Sequence, residues 1–425
     1  MKPALYELAE NLPNISEQSR KGVNYMKSQK SPELLEEAGK SILFTTSRPE
    51  IVMEKGKGMY LWDTDGRKYL DFIGGWAANC LGHCPDAISK ALEQQSSELV
   101  NASPTFYNKP MLEFARLLTD ISCFDKVFFT STGAEANEGA IKLARKYGSK
   151  MLNGAFEIIT TLGSFHGRTL ATMSATGKKH WEPLFAPKVP GFIHVPFNDI
   201  DAVVEAINPN TCAVMLEPVQ GEGGVNTADT AYIKELRSIC DEKGILLIFD
   251  EVQTGLGRIG KLFAYEAYAV EPDIMTLAKG IGGGFPLAAM LTKEKYDIFD
   301  AGDQGGTYTG QPLAMAVGIA VVTEIIKRKL PERAEMMGDY LSERLRELSS
   351  EYPILNIRGK GLLIAFDLPE PVGGDIVSEC LEKGLIINSP QPSSIRFMPP
   401  LIVTKGEIDE MLDILKIVLK ARYRK

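Results

Sequence analysis

The amino-acid sequence predicts an α/β protein in which a mostly parallel sheet lies between helices and is joined by a smaller α+β domain built from both ends of the chain. Three observations support this. In the middle of the chain short, almost wholly apolar runs alternate with helical patterns; after Gly310 that alternation gives way to long helices and a few strands; and near the N-terminus a group of strands has no helices of its own to cover it. Strands without a polar alternate face belong to sheets covered on both sides, which is the arrangement that helical crossovers produce.

Residues 1–40 mix charge, Pro and short apolar stretches, as expected of an arm or short helices docked on a larger body. From residue 51, IVMEKGKGMYLWDTDGRKYLDF reads as two or three strands with DTDG as a hairpin turn. Strands are then expected at residues 126–131 (KVFFTS), 156–161 (FEIITT), 212–218 (CAVMLEP), 245–252 (ILLIFDEV), 274–280 (IMTLAKG) and 286–292 (PLAAMLT). The clearest helices between them are residues 134–150 and 230–244, the second ended by Gly244 in the position of a left-handed cap. Two long amphipathic helices are expected at residues 311–328 and 331–350, followed by strands in ILNIRGKGLLIAFDL and SIRFMPPL and a last helix from residue 405. The chain divides accordingly into residues 1–75 (arm and part of the small domain), 76–315 (large domain) and 316–425 (C-terminal part of the small domain). A ligand belongs at the carboxyl ends of the central strands.

Composition narrows the function. A chain of 425 residues, 44% hydrophobic, can bury a large core, and 47 Lys plus Arg against 55 Asp plus Glu gives no basic face for nucleic acid. Six cysteines without a C-x-x-C pair read as reduced thiols. The N-terminal stretch lacks the apolar core of a signal peptide, and no apolar run reaches ~18 residues, so a soluble, cytoplasmic protein is expected. The four histidines, His83, His166, His180 and His194, are scattered without metal-ligand spacing and read as structural, so no metal is expected. No G-x-S-x-G elbow is present.

The segment ILLIFDEVQTGLGRIGK satisfies two phosphate-binding patterns on paper. As a P-loop it fails, because Leu262 stands where a Ser or Thr must hold magnesium. As a dinucleotide fingerprint it is weak, because five residues separate the strand from the first glycine. The glycines read better as the shapers of a loop, and a nucleotide-binding enzyme using GLGRIGK is the alternative from a different class.

A second feature is sharper. One apolar strand ends in Asp250 and Glu251, and 29 residues later another ends in Lys279, followed by GIGGGFP. A lysine at a buried strand end is poorly solvated, which lowers its pKa and frees the amine to attack an aldehyde. An Asp and a Lys on neighbouring strand ends match the two ends of pyridoxal phosphate (PLP), the Asp at the pyridine nitrogen and the Lys in Schiff-base linkage. In STGAEANEGAIK a strand gives way to a helix, placing the N–H groups of Ser131, Thr132, Gly133 and Ala134 where a phosphate is bound.

With STGAEANEGAIKLARKY, SFHGRT, LEPVQGEGGV, LLIFDEVQTGLGRIG, PDIMTLAKGIGGGFP, GGTYTGQPL and IRFMPPL in this order, the chain resembles the class III (ω-amino acid) aminotransferases of PLP fold type I over almost all of residues 40–420. Within the class it is most similar to acetylornithine and ornithine aminotransferases. The resemblance implies a seven-stranded central sheet, Lys279 as the Schiff-base lysine, Asp250 at the ring nitrogen, Val252 and Gln253 against the ring, and Phe165 stacked on it. It also implies that Thr132, Gly133 and Ala134 hold the phosphate and that Thr307 reaches the phosphate of a neighbouring subunit, hence a homodimer with shared sites.

Arg168 and Arg396 are implied for two substrate carboxylates, a role that suits the two-pronged guanidinium; Glu222 is implied as the partner of Arg396. The sequence departs from the acetylornithine pattern at Gly306, where Ser is usual, at Gln311, at Trp76 on the pocket wall, and at Pro85-Asp86. The implied reaction moves the terminal amino group of an ω-amino donor, N2-acetylornithine first, to 2-oxoglutarate, giving a semialdehyde and glutamate, as in arginine biosynthesis. Ornithine, 4-aminobutyrate or another ω-amine are the alternative donors. An aminomutase on the same fold would need no keto acid, and a catalytically silent copy would have no reason to keep Lys279, Asp250, Arg168 and Arg396 together.

Overall fold

The computed structural model describes residues 32–423. Most of the N-terminal arm thus lies outside the described residues; its last part, Pro32–Ser41, is a helix with no buried side chain. Three strands follow, β1 (Met53–Lys57), β2 (Tyr60–Asp63) and β3 (Lys68–Asp71). The DTDG turn joins β2 to β3: the Asp63 carboxylate accepts hydrogen bonds from the Asp65 and Arg67 N–H groups and the Tyr69 hydroxyl.

The central sheet contains β4 (Lys126–Thr130), β5 (Glu157–Thr161), β6 (Phe192–Val195), β7 (Thr211–Leu216), β10 (Leu246–Asp250), β11 (Ile274–Leu277) and β12 (Ala288–Thr292), with β8 (Val219–Gln220) and β9 (Asn226–Thr227) forming a small separate ladder. Its strand order is β4-β12-β11-β10-β7-β5-β6. Every neighbouring pair is parallel except those of β12, which runs against both β4 and β11. The carboxyl ends of β4, β5, β10 and β11 therefore share one edge.

All residues of β7, β10, β11 and β12 are buried, which is why they appear in the sequence as unbroken apolar runs. The sequence reading did not name β6, a four-residue edge strand with only Val195 buried and therefore without an apolar run to announce it. The expected helices form as Gly133–Met151 and Thr230–Lys243, and Gly244 closes the latter at φ 66°.

The remaining strands are β13 (Leu355–Lys360), β14 (Leu363–Asp367), β15 (Leu385–Ile386), β16 (Asn388–Gln391) and β17 (Ser394–Phe397). Four of them make an antiparallel sheet in the order β13-β14-β17-β16, while β15 leaves it to pair in parallel with β3. A strand from late in the chain thus completes the N-terminal sheet. The helix Pro312–Lys327 is not the amphipathic element its neighbours suggest: it is apolar on most of its circumference, because it is packed between the helices Asp86–Glu98 and Lys109–Asp120 and the turn after Lys279.

The GLGRIG segment is structural, as its loop reading proposes. Arg258, 3% exposed, donates to the carbonyls of Leu362 (3.1 Å) and Pro399 (2.5 Å), while the Leu362 N–H donates back to the Arg258 carbonyl (2.9 Å). The loop after β10 is thereby interlocked with the start of β14 and the segment after β17. On the far side Gly361 is pressed against the helix Leu330–Ser349 at Gly338, where a β-carbon would collide with the Gly361 carbonyl. Gly338→Ala should therefore cost about 3 kcal/mol, seen as a lowered midpoint of thermal unfolding; a midpoint within about a degree of wild type would mean that the helix can step back freely.

Candidate active site

At the shared strand edge a cavity of about 470 Å³ is lined by Ser131–Ala134, Phe165–Arg168, Glu217, Glu222, Asp250, Val252, Gln253 and Lys279, among others. Sequence-distant residues meet here because each lies at or just beyond the carboxyl end of a strand. Asp250 ends β10 in register with Thr276 of β11, and Lys279 stands two residues past the end of β11.

Asp250 is 3% exposed and fully engaged. Its Oδ2 accepts from His166 Nδ1 (2.7 Å) and Asn137 Nδ2 (2.8 Å), and its Oδ1 accepts from the Val252 N–H (3.0 Å). Burial alone would lower the His166 pKa, but the hydrogen bond and charge of Asp250 raise it overall; because an ionised carboxylate only accepts, Nδ1 is the nitrogen that donates to it. Asn137 is fixed in turn: its amide also donates to the His166 carbonyl (2.7 Å), and its Oδ1 accepts from the Thr276 hydroxyl (2.7 Å). His166, read from sequence as structural, is thus a direct partner of Asp250, and Asn137 and Thr276 were not singled out at all.

The second acid has a different task. Glu251 is pushed up to about 8 by burial, against the pull of the Ala264 and Tyr265 N–H groups, which its carboxylate accepts at 2.5 and 2.9 Å to cap the helix Ala264–Tyr268.

Lys279 occupies the left-handed region at φ 49°, a strained conformation for a residue with a side chain, at the start of a tight turn that continues through Gly282. Burial depresses its pKa; Glu222, Asp250 and Glu217 oppose that shift, and the net direction is down. Glu217 accepts from the Phe165 N–H at 2.9 Å and so fixes the segment that carries the Phe165 ring, and burial raises its pKa. Trp181 packs edge-on against Phe165 with ring centres 5.7 Å apart, and Arg168, otherwise exposed, lays its guanidinium 5.0 Å from the Trp181 ring.

Arg396 on β17 is wholly buried. Asn388 accepts from its Nε (2.9 Å) and one terminal nitrogen (2.7 Å), Glu222 accepts from that same nitrogen (2.7 Å), and the other terminal nitrogen has no partner among the described residues. Trp76, 51% exposed, lies with its ring centre 5.7 Å from this guanidinium. Gly306 and Thr307 are not in the cavity; they border a separate recess of about 400 Å³ beside Ser131, Glu135 and Glu138.

Two buried groups test whether PLP fits. Gln253 has neither its amide nitrogen nor its oxygen paired among the described residues, and His166 Nε2 is also unpaired; both residues line the cavity, where a polar ligand would satisfy them. The first-turn N–H groups of Gly133 and Ala134 have no intrahelical acceptor, whereas those of Ser131 and Thr132 are taken by Glu135. A paired acid, an unpaired amide, a depressed lysine and free helix-start donors around one cavity fit the cofactor's ring, substituents and phosphate.

The family model for class-III aminotransferases matches residues 44–419. An acetylornithine aminotransferase of Ralstonia nicotianae is 52% identical over 90% of this chain and 97% of its own length, and one of Caldanaerobacter subterraneus is 48% identical over 89% and 97%. Among solved structures, the ornithine aminotransferase of Toxoplasma gondii superposes with a TM-score of 0.89 at 32% identity, covering 97% of this chain and 99% of that one. The acetylornithine aminotransferase of Elizabethkingia anophelis superposes with a TM-score of 0.82 at 32% identity, covering 91% and 98%. Fold, cavity and relatives agree: the chain belongs to the class-III aminotransferases, enzymes that work with pyridoxal phosphate.

Proposed function

We propose that this enzyme transfers the terminal amino group of N2-acetylornithine to 2-oxoglutarate, giving a semialdehyde and glutamate, in the cytoplasm and as a step toward arginine. The observation that carries a two-substrate reading is the ion pair between buried Arg396 and Glu222, a residue that lines the same cavity as Lys279. The choice of donor is supported by the relatives that bear the acetylornithine name.

PLP, when bound, supplies an aldehyde carbon that takes up the amino group and a ring that withdraws electrons from the bond to be broken. Lys279 would hold it covalently, the N–H groups of Gly133 and Ala134 would hold its phosphate, beside Thr132, whose own N–H and hydroxyl are taken by Glu135, and Phe165, Val252 and Gln253 would enclose the ring. Asp250 would keep a proton on the ring nitrogen. Lys279, freed by the incoming amine, takes the proton from the amine-bearing carbon of the substrate; its depressed pKa makes the neutral amine available for that task. Phe165 and Trp181 exclude water from one side of the cavity.

Glu222 gives the site two settings. An ω-amino donor presents no carboxylate next to its reacting carbon, so Arg396 stays neutralised by Glu222 while Arg168 takes the donor's distant carboxylate. Glutamate and 2-oxoglutarate do present one, and it takes Arg396 from Glu222. Breaking a buried ion pair without replacement would cost about 3–5 kcal/mol, so the arriving carboxylate must substitute for Glu222. Thr307 and Gly306 line a recess next to the chain's own cavity and not the cavity itself, which supports a homodimer in which the partner's Thr307 completes the phosphate site.

The visible band of the purified enzyme should vanish in Lys279→Ala and be bleached by N2-acetylornithine, with recovery requiring 2-oxoglutarate. Bleaching only by ornithine or 4-aminobutyrate would replace the donor, and recovery without a keto acid would indicate an aminomutase. Glu222→Ala should shift preference toward glutamate over the ω-amine by about tenfold in kcat/KM; unchanged preference would refute the two settings. Asn137→Ala should slow both half-reactions about equally, by about tenfold or more, and alter the visible band, since it loosens Asp250 and leaves the carboxylate sites intact; a loss confined to one substrate would rule out this role.

A further inference from the structure

Besides Arg168, Arg396 and Lys279, the structure brings a fourth cation to the site. Lys178 follows the segment that ends at Gly177, and its side chain is 17% exposed. Its ammonium stands 5.1 Å from the centre of the Phe165 ring and 5.3 Å from that of Trp181, and it donates no hydrogen bond to any described residue. The nearest anion is Glu222, whose Oε2 lies 4.0 Å away while its Oε1 takes Arg396 at 2.7 Å. Burial lowers the Lys178 pKa; Glu222 and Glu217 oppose this, and Arg168 and Arg396 add to it.

An ammonium has three N–H donors, and since no described residue accepts from that of Lys178, all three are available to a carboxylate. Glu222, once displaced from Arg396, needs a cation, because a buried carboxylate without a partner is strongly disfavoured. Lys279, the other cation near Glu222, is committed to the cofactor and to proton transfer. Lys178 is the group left to receive it, with one carboxylate oxygen already turned its way.

We propose that Lys178 is the second station of the Glu222 carboxylate: when a substrate carboxylate takes Arg396, Glu222 moves onto Lys178, and Lys178 thereby sets how readily the pocket admits a dicarboxylate. This rests on the two-setting reading of Glu222 and Arg396 above. Lys178 is a positioning residue that acts through Glu222, without contact with the reacting atoms.

The test is a double-mutant cycle on the PLP-loaded enzyme, with binding of glutarate, an unreactive dicarboxylate, measured by calorimetry. Lys178→Gln should weaken glutarate about tenfold when Glu222 is present and less than about threefold in the Glu222→Gln background, where no charge has to be rehoused. Lys178→Arg, which keeps the cation and its place over the rings, should bind within about twofold of wild type and carries the test should Lys178→Gln lose the cofactor band. Equal losses in both backgrounds, no loss when Glu222 is present, or a tenfold loss in Lys178→Arg would each overturn the proposal. If wild type does not bind glutarate, or if binding survives Arg396→Ala, the two-setting reading itself falls and takes the proposal with it.

Discussion

The site is organised around one carboxylate set where water does not reach it. Asp250 closes a strand whose five residues are all buried, and a buried carboxylate is tolerable only with strong partners. Those partners come from three places in the sequence. Asn137 sits just inside the helix that starts at the cavity, His166 lies in the segment after β5, and Thr276 occupies the paired position on β11 and orients Asn137. Sheet register, helix placement and loop path must all be right before Asp250 is satisfied. The same register sets Lys279 two residues beyond β11, in a strained left-handed conformation at the start of a tight turn.

Arg396 poses the opposite problem, a buried cation reached from the second sheet. It is carried on β17, paired with β14 at Ala365, and β14 begins where Arg258 ties the loop after β10 to Leu362 and Pro399. The chain that supplies Asp250 and Gln253 is thus interlocked, a few residues later, with the strands that supply Arg396. Arg258 is itself buried without an acidic partner among the described residues, and burial pulls its pKa down to about 10. Backbone carbonyls from two segments take the place of a counter-ion, and each can be satisfied only if the two segments keep their distance. On the proposed reading of Arg396, a substrate carboxylate bound there would be held at a fixed span from the cofactor end of the site.

What the sequence made legible follows from burial. The strands covered on both faces stand out as apolar runs, so the charged residues that end them, Asp250 and Lys279, stand out too. The half-exposed edge strand β6 had no such signature, and the helix Pro312–Lys327, expected to be amphipathic, is apolar on most of its circumference. His166, Asn137 and Thr276 lie 84, 113 and 26 residues from Asp250 and meet it only through the fold. Asn137 did leave a trace, as the lone amide on a helix face whose other buried residues are small or apolar. Lys178 left none: in GKKH it reads as one more charge on a solvated loop, and only the rings of Phe165 and Trp181 bring it indoors.

The GLGRIGK segment shows why glycine patterns mislead. A phosphate cradle needs positive φ and backbone bare enough for close approach, and those are also the demands of two chain segments that must interlock. Gly257 and Gly260 adopt φ 93° and 92° here, yet what approaches them is Pro331, Leu401 and Glu335 of the same chain. The pattern reports a demand on the backbone without naming the partner that makes it. The partner has to be inferred from the residues between and after the glycines: Leu262 offers no oxygen to a metal, Arg258 is spent on carbonyls flanking the second sheet, and Lys261 pairs with Glu335. The phosphate site implied for this chain lies elsewhere, at a helix start where Gly133 is the single glycine and the unpaired N–H groups, not the glycine spacing, are the signal.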